Sequence, residues 1–547
     1  MSDPRFFHPI RLLPAVLLLP FLVAGCGRRP AAEAGGAPAR QILRMGNSAE
    51  PQDLDPQNIQ GVPELNISMA LFDTLVEMDP HDLHPVPGQA ESWTISPDGL
   101  TYTFHLRPGL RWSDGEPLTA DDFVQSYRRI LTPAFAAEYA YLFTSFVRGA
   151  KEYNDGTLTD FSQVGIHAPD PRTLVVSLKQ PTPFLLKIIA CDYVWDAVPV
   201  KTIARFGPID QKGSHWTRAG NLVASGPFLL KEWTPNKRIV VTRNPYYWDA
   251  ARVKLDSIEF YPIDDQNVEE RMFRTGQLDV TYDFLPNKID TYRRDHPEEL
   301  RIDAWLGIYY YNINVTKPPF TDARVRRAFA LAIDRDELVK DVMRGGQTPA
   351  YAVSYPGVSG YAPRAHLTGG IAEARQLLAE AGYPEGRGLP PIELLYNPNQ
   401  EYNRSVAEAI QAMWRKNLGA AVTLTSQEWK VYLDSMQTGH YQIARAGWIA
   451  DYPDPNVFLE IYETGNGNNY TKWSNAEYDR LLHEALHAPD EAARYECYQK
   501  MDAILVRECP VIPLFYYTKT YALSPRVQGW WPTLLDQHPY KYVSLKN

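Results

Sequence analysis

The sequence predicts an α/β protein built from several connected lobes. Segments with the two-residue alternation typical of strands are interleaved with segments that repeat apolar residues at helical spacing, and no internal repeat is present. Of the 547 residues, 44% are hydrophobic and 12% aromatic, enough to bury several cores. We therefore expect about two to four domains, and neither a solenoid nor a β-sandwich.

The N-terminal segment has the features of an export signal. Arginines precede an apolar run at residues 12–23 that is too short to span a bilayer. The run ends in the letters VAGC, which resemble the bacterial lipobox, in which the cysteine is lipidated and becomes the mature N-terminus. We therefore expect a signal peptide at 1–25, a lipidated Cys26 and a flexible, Gly/Ala/Pro-rich tether over 26–40. A plain signal peptide with an incidental cysteine is the alternative.

Composition limits the partners of the chain. Charged residues and prolines interrupt every later hydrophobic run before it reaches the roughly 20 residues of a membrane helix, so the lipid would be the only membrane anchor. The formal net charge of −10 and the absence of a long basic cluster argue against nucleic-acid binding. A soluble capture protein acting outside the cytoplasm fits these properties better. We expect it to be a monomer.

The remaining cysteines predict no structural disulfide. They are Cys191, Cys497 and Cys509, so at least one has no partner. Cys497 and Cys509 are twelve residues apart along a predicted helix that begins near residue 490, which would separate them by roughly 18 Å. Buried, unreactive thiols are the expectation for all three.

Individual elements can be predicted from periodicity. Residues 100–106 and 174–178 alternate like half-buried strands. Residues 322–345 and 405–418 carry apolar side chains at helical spacing, and Gly419 is placed to end the second helix.

Short motifs follow one another along almost the whole chain. They are GVPELNI at 61–67, AESW at 90–93, DGLTYTFHLR at 98–107, WSDG at 112–115, LTADDF at 118–123, SGPF at 225–228, RNPYYW at 243–248, GQLD at 276–279, KPPF at 317–320, RVRRA at 324–328, AIDR at 332–335 and AGWIADY at 446–452. In this order they resemble the peptide/nickel class of extracellular solute-binding proteins (family 5), and within it the oligopeptide-binding lipoproteins of bacterial ABC importers.

The resemblance implies a type II periplasmic-binding-protein fold with two hinged lobes and an inserted extra domain. Lobe 1 would be discontinuous, with pieces at 40–72, 205–306 and 517–547. The inserted domain would occupy 73–204 and lobe 2 would occupy 307–516. A peptide would lie extended between the lobes and be enclosed when they close.

One segment carries the charges that a zwitterionic peptide requires. Such a ligand needs a carboxylate for its ammonium group and a cation for its carboxylate. Asp451 aligns with the family's ammonium anchor, and Arg445 aligns with a family residue that pairs with the carboxylate of short peptides. If the run between them is extended, their Cα atoms lie roughly 20 Å apart, which leaves room for a short peptide. A surface acid and a structural arginine are the alternatives.

The resemblance also implies main-chain and side-chain contacts. Main-chain groups would come from Gly61 and Val62 on one side and from Gly447, Trp448 and Ile449 on the other. The predicted pocket aromatics and apolar residues, carried over from family positions, are Tyr141, Trp305, Tyr310, Trp429, Leu433 and Trp448. For each of these, a core position is the alternative.

Departures from the family leave the preferred peptide length open. Asn403 stands where many members have a histidine, and Arg344 follows Met343 where some have a lysine. A family cysteine pair is replaced by Gly307 and Ile449. With Arg445 as the best-placed cation, we expect the strongest binding near three residues.

Two other functions compete. The letters HEALH at 483–487 fit the HExxH pattern of zinc metalloproteases, although Leu481, Leu482, Ala485 and Leu486 of the same predicted helix indicate that the histidines flank solvent. A non-peptide ligand such as a metal chelate or a sugar is the second alternative, and dipeptides or murein peptides remain open as cargo. We predict no catalysis, cofactor or metal. The permease and ATPase subunits of the importer would be separate chains.

Overall fold

The computed structural model describes residues 40–59, 61–398 and 400–546, and Glu401 through its backbone. The predicted signal peptide, Cys26 and the tether up to residue 39 lie outside the described residues.

The strands are, in chain order, β1 (Ile42–Gly46), β2 (Val76–Met78), β3 (Pro85–Pro87), β4 (Ala90–Ile95), β5 (Thr101–Leu106), β6 (Ile166–Asp170), β7 (Thr173–Ser177), β8 (Phe228–Thr234), β9 (Arg238–Arg243), β10 (Ser257–Tyr261), β11 (Leu300–Ile313), β12 (Thr348–Pro349), β13 (Ile392–Tyr396), β14 (Val422–Ser426), β15 (Ile443–Ile449), β16 (Val511–Ala522), β17 (Val527–Gln528) and β18 (Ser544–Leu545).

The α-helices are α1 (Val62–Leu71), α2 (Ala120–Leu131), α3 (Tyr141–Thr144), α4 (Ala150–Asn154), α5 (Leu185–Cys191), α6 (Val200–Ile203), α7 (Gln266–Arg274), α8 (Ile289–Asp295), α9 (Ala323–Leu331), α10 (Arg335–Glu337), α11 (Ile371–Glu380), α12 (Glu401–Leu418), α13 (Trp429–Thr438), α14 (Asn456–Leu459), α15 (Ala476–Leu486) and α16 (Glu491–Glu508). A π-helical segment, Leu338–Met343, continues α10. Short 3₁₀ turns connect several of the others.

Three sheets of four or six strands organise the chain, one for each predicted domain, and β2-β3 and β17-β18 form two small two-stranded sheets. The order β1-β10-β9-β8 forms a four-stranded sheet from pieces of predicted lobe 1. The order β4-β5-β7-β6 forms an antiparallel sheet inside the range predicted for the inserted domain. The order β12-β16-β11-β15-β13-β14 forms a mixed sheet that belongs mainly to predicted lobe 2. Mixed sheets covered by helices are the α/β arrangement that the sequence predicts.

Two long antiparallel strands, β11 and β16, connect lobe 1 with lobe 2. They pair from Leu300↔Ala522 at one end to Asn312↔Val511 at the other. Their register shifts between Ala304 and Ile308. The predicted lobe boundaries, after residues 306 and 516, fall at this irregular part of the ladder, where a bend costs few regular hydrogen bonds.

Most local predictions are confirmed, and two differ in detail. Both predicted strands and the C-cap are present: Gly419 adopts the left-handed conformation (φ 70°) that ends α12. The predicted helix over 322–345 is instead two helices, because the Asp334 side chain caps the N-terminus of α10. Cys509 lies one residue beyond α16, also in a left-handed conformation.

Within the described ranges, every helix falls short of the length and apolar character needed to cross a bilayer.

Candidate functional site

A cavity of about 250 Å³ lies where the three predicted domains meet. We call it the interlobe cavity. Predicted lobe 1 contributes residues from α1, β11 and the C-terminal segment, the inserted domain contributes Tyr139 and the segment at the end of α5, and predicted lobe 2 contributes the end of β15 and Asp451. Its lining residues are Gly61, Val62, Leu65, Asn66, Tyr139, Cys191, Asp192, Tyr193, Trp305, Leu306, Ile449, Ala450, Asp451, Leu534, Leu535, Asp536 and Gln537. Five predicted site residues, from both lobes, are therefore brought together.

The Gly61–Val62 side of the cavity is the start of a helix. Gly61 is the N-cap of α1, with extended backbone angles, and Pro63 occupies the first turn. Val62 is exposed, with 38% of its surface accessible. This segment therefore presents the main-chain groups of a first helical turn to the cavity, rather than those of a strand edge.

The opposite side is a strand with one free edge. Strand β15 pairs with β11 from Ile443 to Ile449, but its other neighbour, β13, reaches only Ile443 and Ala444. Ala450 donates its N–H toward β11, to the carbonyl of Leu306. Because alternate residues of a strand point their main-chain groups to opposite sides, Gly447 and Ile449 direct theirs to the edge that no described strand covers. This edge can accept an extended peptide as an additional strand.

Asp451 follows β15 and has no charged partner among the residues that the structure describes. Its side chain is open to water in the cavity, but protein surrounds it closely enough that the loss of solvent raises its pKa to about 6. The neighbouring Asp192 is buried, and burial raises its pKa to about 7. A cationic group entering the cavity would favour the ionised form of these carboxyls.

Arg445, at the other end of the segment, is a cation without a carboxylate partner in the described part of the chain. Its Nη2 donates to the Tyr517 hydroxyl at 3.1 Å, and its Nη1 lies 3.4 Å from Asn397 Oδ1. The guanidinium carbon lies 4.7 Å from the centre of the Tyr309 ring, and Nε is buried without an acceptor. The arginine is thus held in place by neutral groups, which leaves its charge available to an anion.

Gly447 is needed for this arrangement. A Cβ atom at this position would overlap the Tyr517 hydroxyl and lie 3.3 Å from Arg445 Nη2. Since the same residue presents main-chain groups at the free edge, a side chain would disturb both the cation and the edge.

The predicted pocket residues fall on different surfaces. Trp305 lines the interlobe cavity, and its ring lies 5.9 Å from that of Tyr517. Trp429 is exposed and stacks on Tyr432, whose hydroxyl donates to the Arg445 carbonyl. Tyr141 is exposed to water in part, but the protein around its hydroxyl excludes enough solvent that this desolvation, together with the charge of Asp451, raises the pKa of the hydroxyl.

Three further pocket predictions are more deeply placed. Tyr310 is buried and pairs with Ala446, on the face of β11 opposite to Tyr309. Trp448 is half-buried against the same core. Leu433 is half-buried beside Tyr432. Tyr310 therefore occupies a core position, which is the alternative to a pocket position.

Asn403 and Arg344 do not reach the interlobe cavity. Asn403 is fully buried in α12 and donates to the Asn397 carbonyl at 2.9 Å. Arg344 follows the π-helical segment in a left-handed conformation (φ 58°), and its Nε donates to the Asp341 carbonyl at 3.1 Å. It therefore caps its own helix, a role that periodicity could not predict.

Sequence reasoning missed the contribution of the inserted domain. Tyr139, Cys191, Asp192 and Tyr193 line the cavity although none was predicted there. Tyr139 lies two residues before Tyr141, a predicted site residue, and this proximity is the sequence feature that could have indicated it. Cys191 ends α5, Asp192 and Tyr193 follow it, and all three come near Asp451 only through tertiary packing.

The HExxH histidines lie on the exposed side of α15. The rings of His483 and His487 stack with centres 4.3 Å apart. Glu484 is engaged by Arg480, and Leu481, Leu482 and Ala485 are buried as predicted. In the described residues no third metal ligand joins the two histidines.

Comparisons with known proteins place the chain in a family. Residues 84–470 match the family described as bacterial extracellular solute-binding proteins, family 5 Middle. The chain is 37% identical, over 90% of both sequences, to the periplasmic oligopeptide-binding protein OppA of Escherichia coli. It is 36% identical, again over 90% of both, to a probable deoxycholate-binding periplasmic protein, YgiS, of the same species.

The fold is similar to solved structures of the same kind. The unliganded open form of the periplasmic murein tripeptide binding protein MppA superposes with a TM-score of 0.82 at 31% identity. That match covers 93% of this chain and 98% of the other. The predicted type II binding-protein fold is confirmed.

Proposed function

Because the chain belongs to the bacterial extracellular solute-binding proteins, family 5, we propose that it captures short peptides outside the cytoplasm and delivers them to an ABC importer. The relatives named for oligopeptides and murein tripeptides support this cargo. The absence of catalysis is part of the proposal, since solute-binding proteins of this family are not enzymes.

One observation carries the proposal: two opposite charges, neither of which has an ionic partner among the described residues, lie at the two ends of a strand edge that no described strand covers. Asp451 can bind an ammonium group, and Arg445 can bind a carboxylate. Between them, Gly447 and Ile449 offer main-chain donors and acceptors that grip a peptide of any sequence. A free carboxylate and a free cation at this spacing match a short zwitterionic peptide.

The finer features of the proposal rest on the sequence. A lipid on Cys26 would hold the protein at the outer side of a bacterial membrane, and residues 26–40 would let the lobes reach the permease. We propose that the protein acts as a monomer and that the permease and ATPase are separate chains.

A non-peptide ligand is the second candidate, favoured by the similarity to a probable deoxycholate-binding protein. A sterol acid has a carboxylate for Arg445 but no ammonium group for Asp451. The two candidates therefore differ in whether Asp451 contributes to binding.

The test is calorimetry on the unlipidated mature chain with trialanine and N-acetyl-trialanine. We expect tight binding of the free peptide and a loss of a hundredfold or more for the acetylated peptide or for Asp451→Ala, because either change breaks a desolvated charge pair worth about 3–5 kcal/mol. Glu152→Ala, an exposed acid on α4, is the matched control and should bind normally.

Equal affinity for both peptides would contradict the role of Asp451. Tight binding of deoxycholate, unaffected by Asp451→Ala and in the absence of peptide binding, would favour the second candidate.

A further inference from the structure

A second cavity, of about 100 Å³, lies between α1, the inserted domain and the C-terminal segment. We call it the inner cavity. Apolar side chains such as Met69, Phe72 and Met78 form much of its wall. One water needs about 10–15 Å³, so the space suits several waters or an aliphatic chain. Its charged lining residues are Asp73, Glu77, Asp196 and Lys541.

Asp196 is a buried carboxyl without a partner. Its side chain is 3% exposed, and Oδ1 has no hydrogen-bond partner among the described atoms. Burial, together with Asp73 and Asp192, raises its pKa well above the ordinary value. A buried polar atom without a partner is rare in a folded protein and requires an explanation.

The other charges of the inner cavity do not satisfy Asp196. Lys541 is engaged by Glu77, with Nζ 2.6 Å from Oε1. Asp73 accepts from Trp248 Nε1 at 2.7 Å and from the Tyr247 hydroxyl at 3.3 Å, and burial raises its pKa to about 7. Since the single lysine is paired, the cavity has two carboxyls in excess of its cations.

The inner cavity adjoins the interlobe cavity. Leu65, Cys191, Tyr193 and Gln537 line both spaces and form the wall between them. Part of this wall is a hydrogen bond from Gln537 Nε2 to the Cys191 carbonyl at 3.2 Å. Asp192 and Asp196 flank the same helical turn, Tyr193–Trp195, and line the interlobe and inner cavities respectively.

We propose that the inner cavity is a side-chain pocket for a lysine or arginine at the first position of the bound peptide. This inference rests on the proposed function, because a peptide whose ammonium group meets Asp451 starts its first side chain inside the interlobe cavity. The methylene groups of the side chain pack against the apolar wall, and its cation meets Asp196. Rotation of the Leu65 and Gln537 side chains opens the passage.

An acid such as Asp196 behind the apolar wall of the inner cavity favours a cationic side chain over a neutral one. A neutral side chain gains only the apolar contacts, whereas a cation also gains charge-assisted hydrogen bonds to a carboxyl that otherwise lacks a partner. The pocket therefore selects a positively charged first residue, although the main-chain hydrogen bonds at β15 accept a peptide of any sequence.

The experiment compares Lys-Ala-Ala with norleucyl-Ala-Ala, a neutral analogue of similar length, by calorimetry on the unlipidated mature chain. We expect the wild type to prefer the lysyl peptide by about tenfold or more. Asp196→Asn should abolish this preference and leave the affinity for trialanine unchanged. Asp249→Asn is the matched control, because Asp249 is a partly buried acid near Lys541 that does not line the inner cavity.

A second variant protects the test against a folding defect in Asp196→Asn. Leu65→Trp puts a larger side chain into the shared wall and narrows the passage to the inner cavity. The preference for the lysyl peptide over the norleucyl peptide should therefore decrease although the Asp196 carboxyl is retained. Equal affinities of the wild type for the lysyl and norleucyl peptides, or a preference that survives Asp196→Asn, would overturn the proposal. Failure of every peptide to bind, trialanine included, would instead refute the proposed function.

Discussion

The thiol sulfur of Cys191 lies 3.1 Å from the main-chain carbonyl oxygen of Asp451, in direct polar contact with it. One helical turn earlier on α5, Lys187 Nζ lies 2.9 Å from Asp454 Oδ2. Residues four apart share a helix face, so this face of the inserted domain holds the segment that carries Asp451. The proposed ammonium anchor is thus positioned by a domain far from it in sequence.

Replacing Asp454 should destabilise the fold. Its carboxylate is fully buried and also accepts from Arg494 Nη1 at 3.1 Å. Asp454→Ala leaves Lys187 without an acidic partner and leaves Arg494 only the exposed carboxylate of Glu491 at 3.4 Å, so we expect the free energy of unfolding to fall by about 3–5 kcal/mol. Urea denaturation followed by tryptophan fluorescence measures the change. Asp290→Ala, which breaks an exposed pair with Arg293, should change stability by less than about 1 kcal/mol; equal effects would contradict the prediction.

Peptide affinity should decrease at acidic pH. Loss of solvent raises the pKa of Asp451 to about 6 in the free protein, and an ammonium ligand requires the ionised form. The affinity for the peptide is therefore highest above about pH 7 and decreases as the pH falls through 6. Below pH 6 it decreases by up to tenfold per pH unit. Trialanine titrations from pH 5 to 7.5 check this.

The control for the pH series is Asp451→Asn, because Asp192 and Glu460 nearby also have pKa values raised by burial to about 7. This variant should bind weakly and lose the step near pH 6. A wild-type affinity that is constant down to pH 5 would show that Asp451 does not meet the ammonium group.

Arg445 should set the preferred peptide length. With the ammonium group fixed at Asp451, a carboxylate reaches Arg445 only from a short peptide, and Asn403 and Arg344 offer no free cation at the cavity. Alanine peptides of two to six residues should bind best near three. Arg445→Ala should weaken the short peptides most. A flat profile, or an optimum at five residues unaffected by the substitution, would show that Arg445 is structural.

A side chain at Gly447 should weaken the binding of all peptides alike. A Cβ atom there overlaps the Tyr517 hydroxyl and crowds Arg445 Nη2, beside the free edge of β15. We expect Gly447→Val to reduce trialanine affinity by more than tenfold. Gly467→Val, where a Cβ atom would meet nothing within 4 Å, should bind normally. Unchanged affinity in Gly447→Val would exclude this edge from recognition.

Zinc should not be part of the function. Because His483 and His487 are on the exposed side of α15 and Glu484 is paired with Arg480, we expect no stoichiometric zinc in purified protein and no effect of chelators on peptide binding. Elemental analysis decides this. One zinc per chain that disappears in His483→Ala would require a metal site, with Glu491 or Glu496 as candidates for a third ligand.

The sequence by itself determined the features that depend on local patterns. The two-residue alternation predicted β5 and β7, and a glycine after a run of helical spacing predicted the end of α12 at Gly419. The resemblance to the family singled out Arg445 and Asp451, and their opposite charges six residues apart suit a short peptide if the segment between them is extended. The ordered motifs predicted the binding-protein family and its fold.

Only the tertiary structure decided which predicted side chains share a surface. The pairing of β11 with β15, segments about 140 residues apart, sets which face of β11 packs into the core, and Tyr310 lies on a buried face. Trp305 precedes the stretch paired with β15 and lines the interlobe cavity. Packing of α5 against lobe 2 brought Cys191 and Asp192 to Asp451. Local periodicity cannot predict such contacts, because they join residues that are much further apart in sequence than the repeat of a helix or a strand.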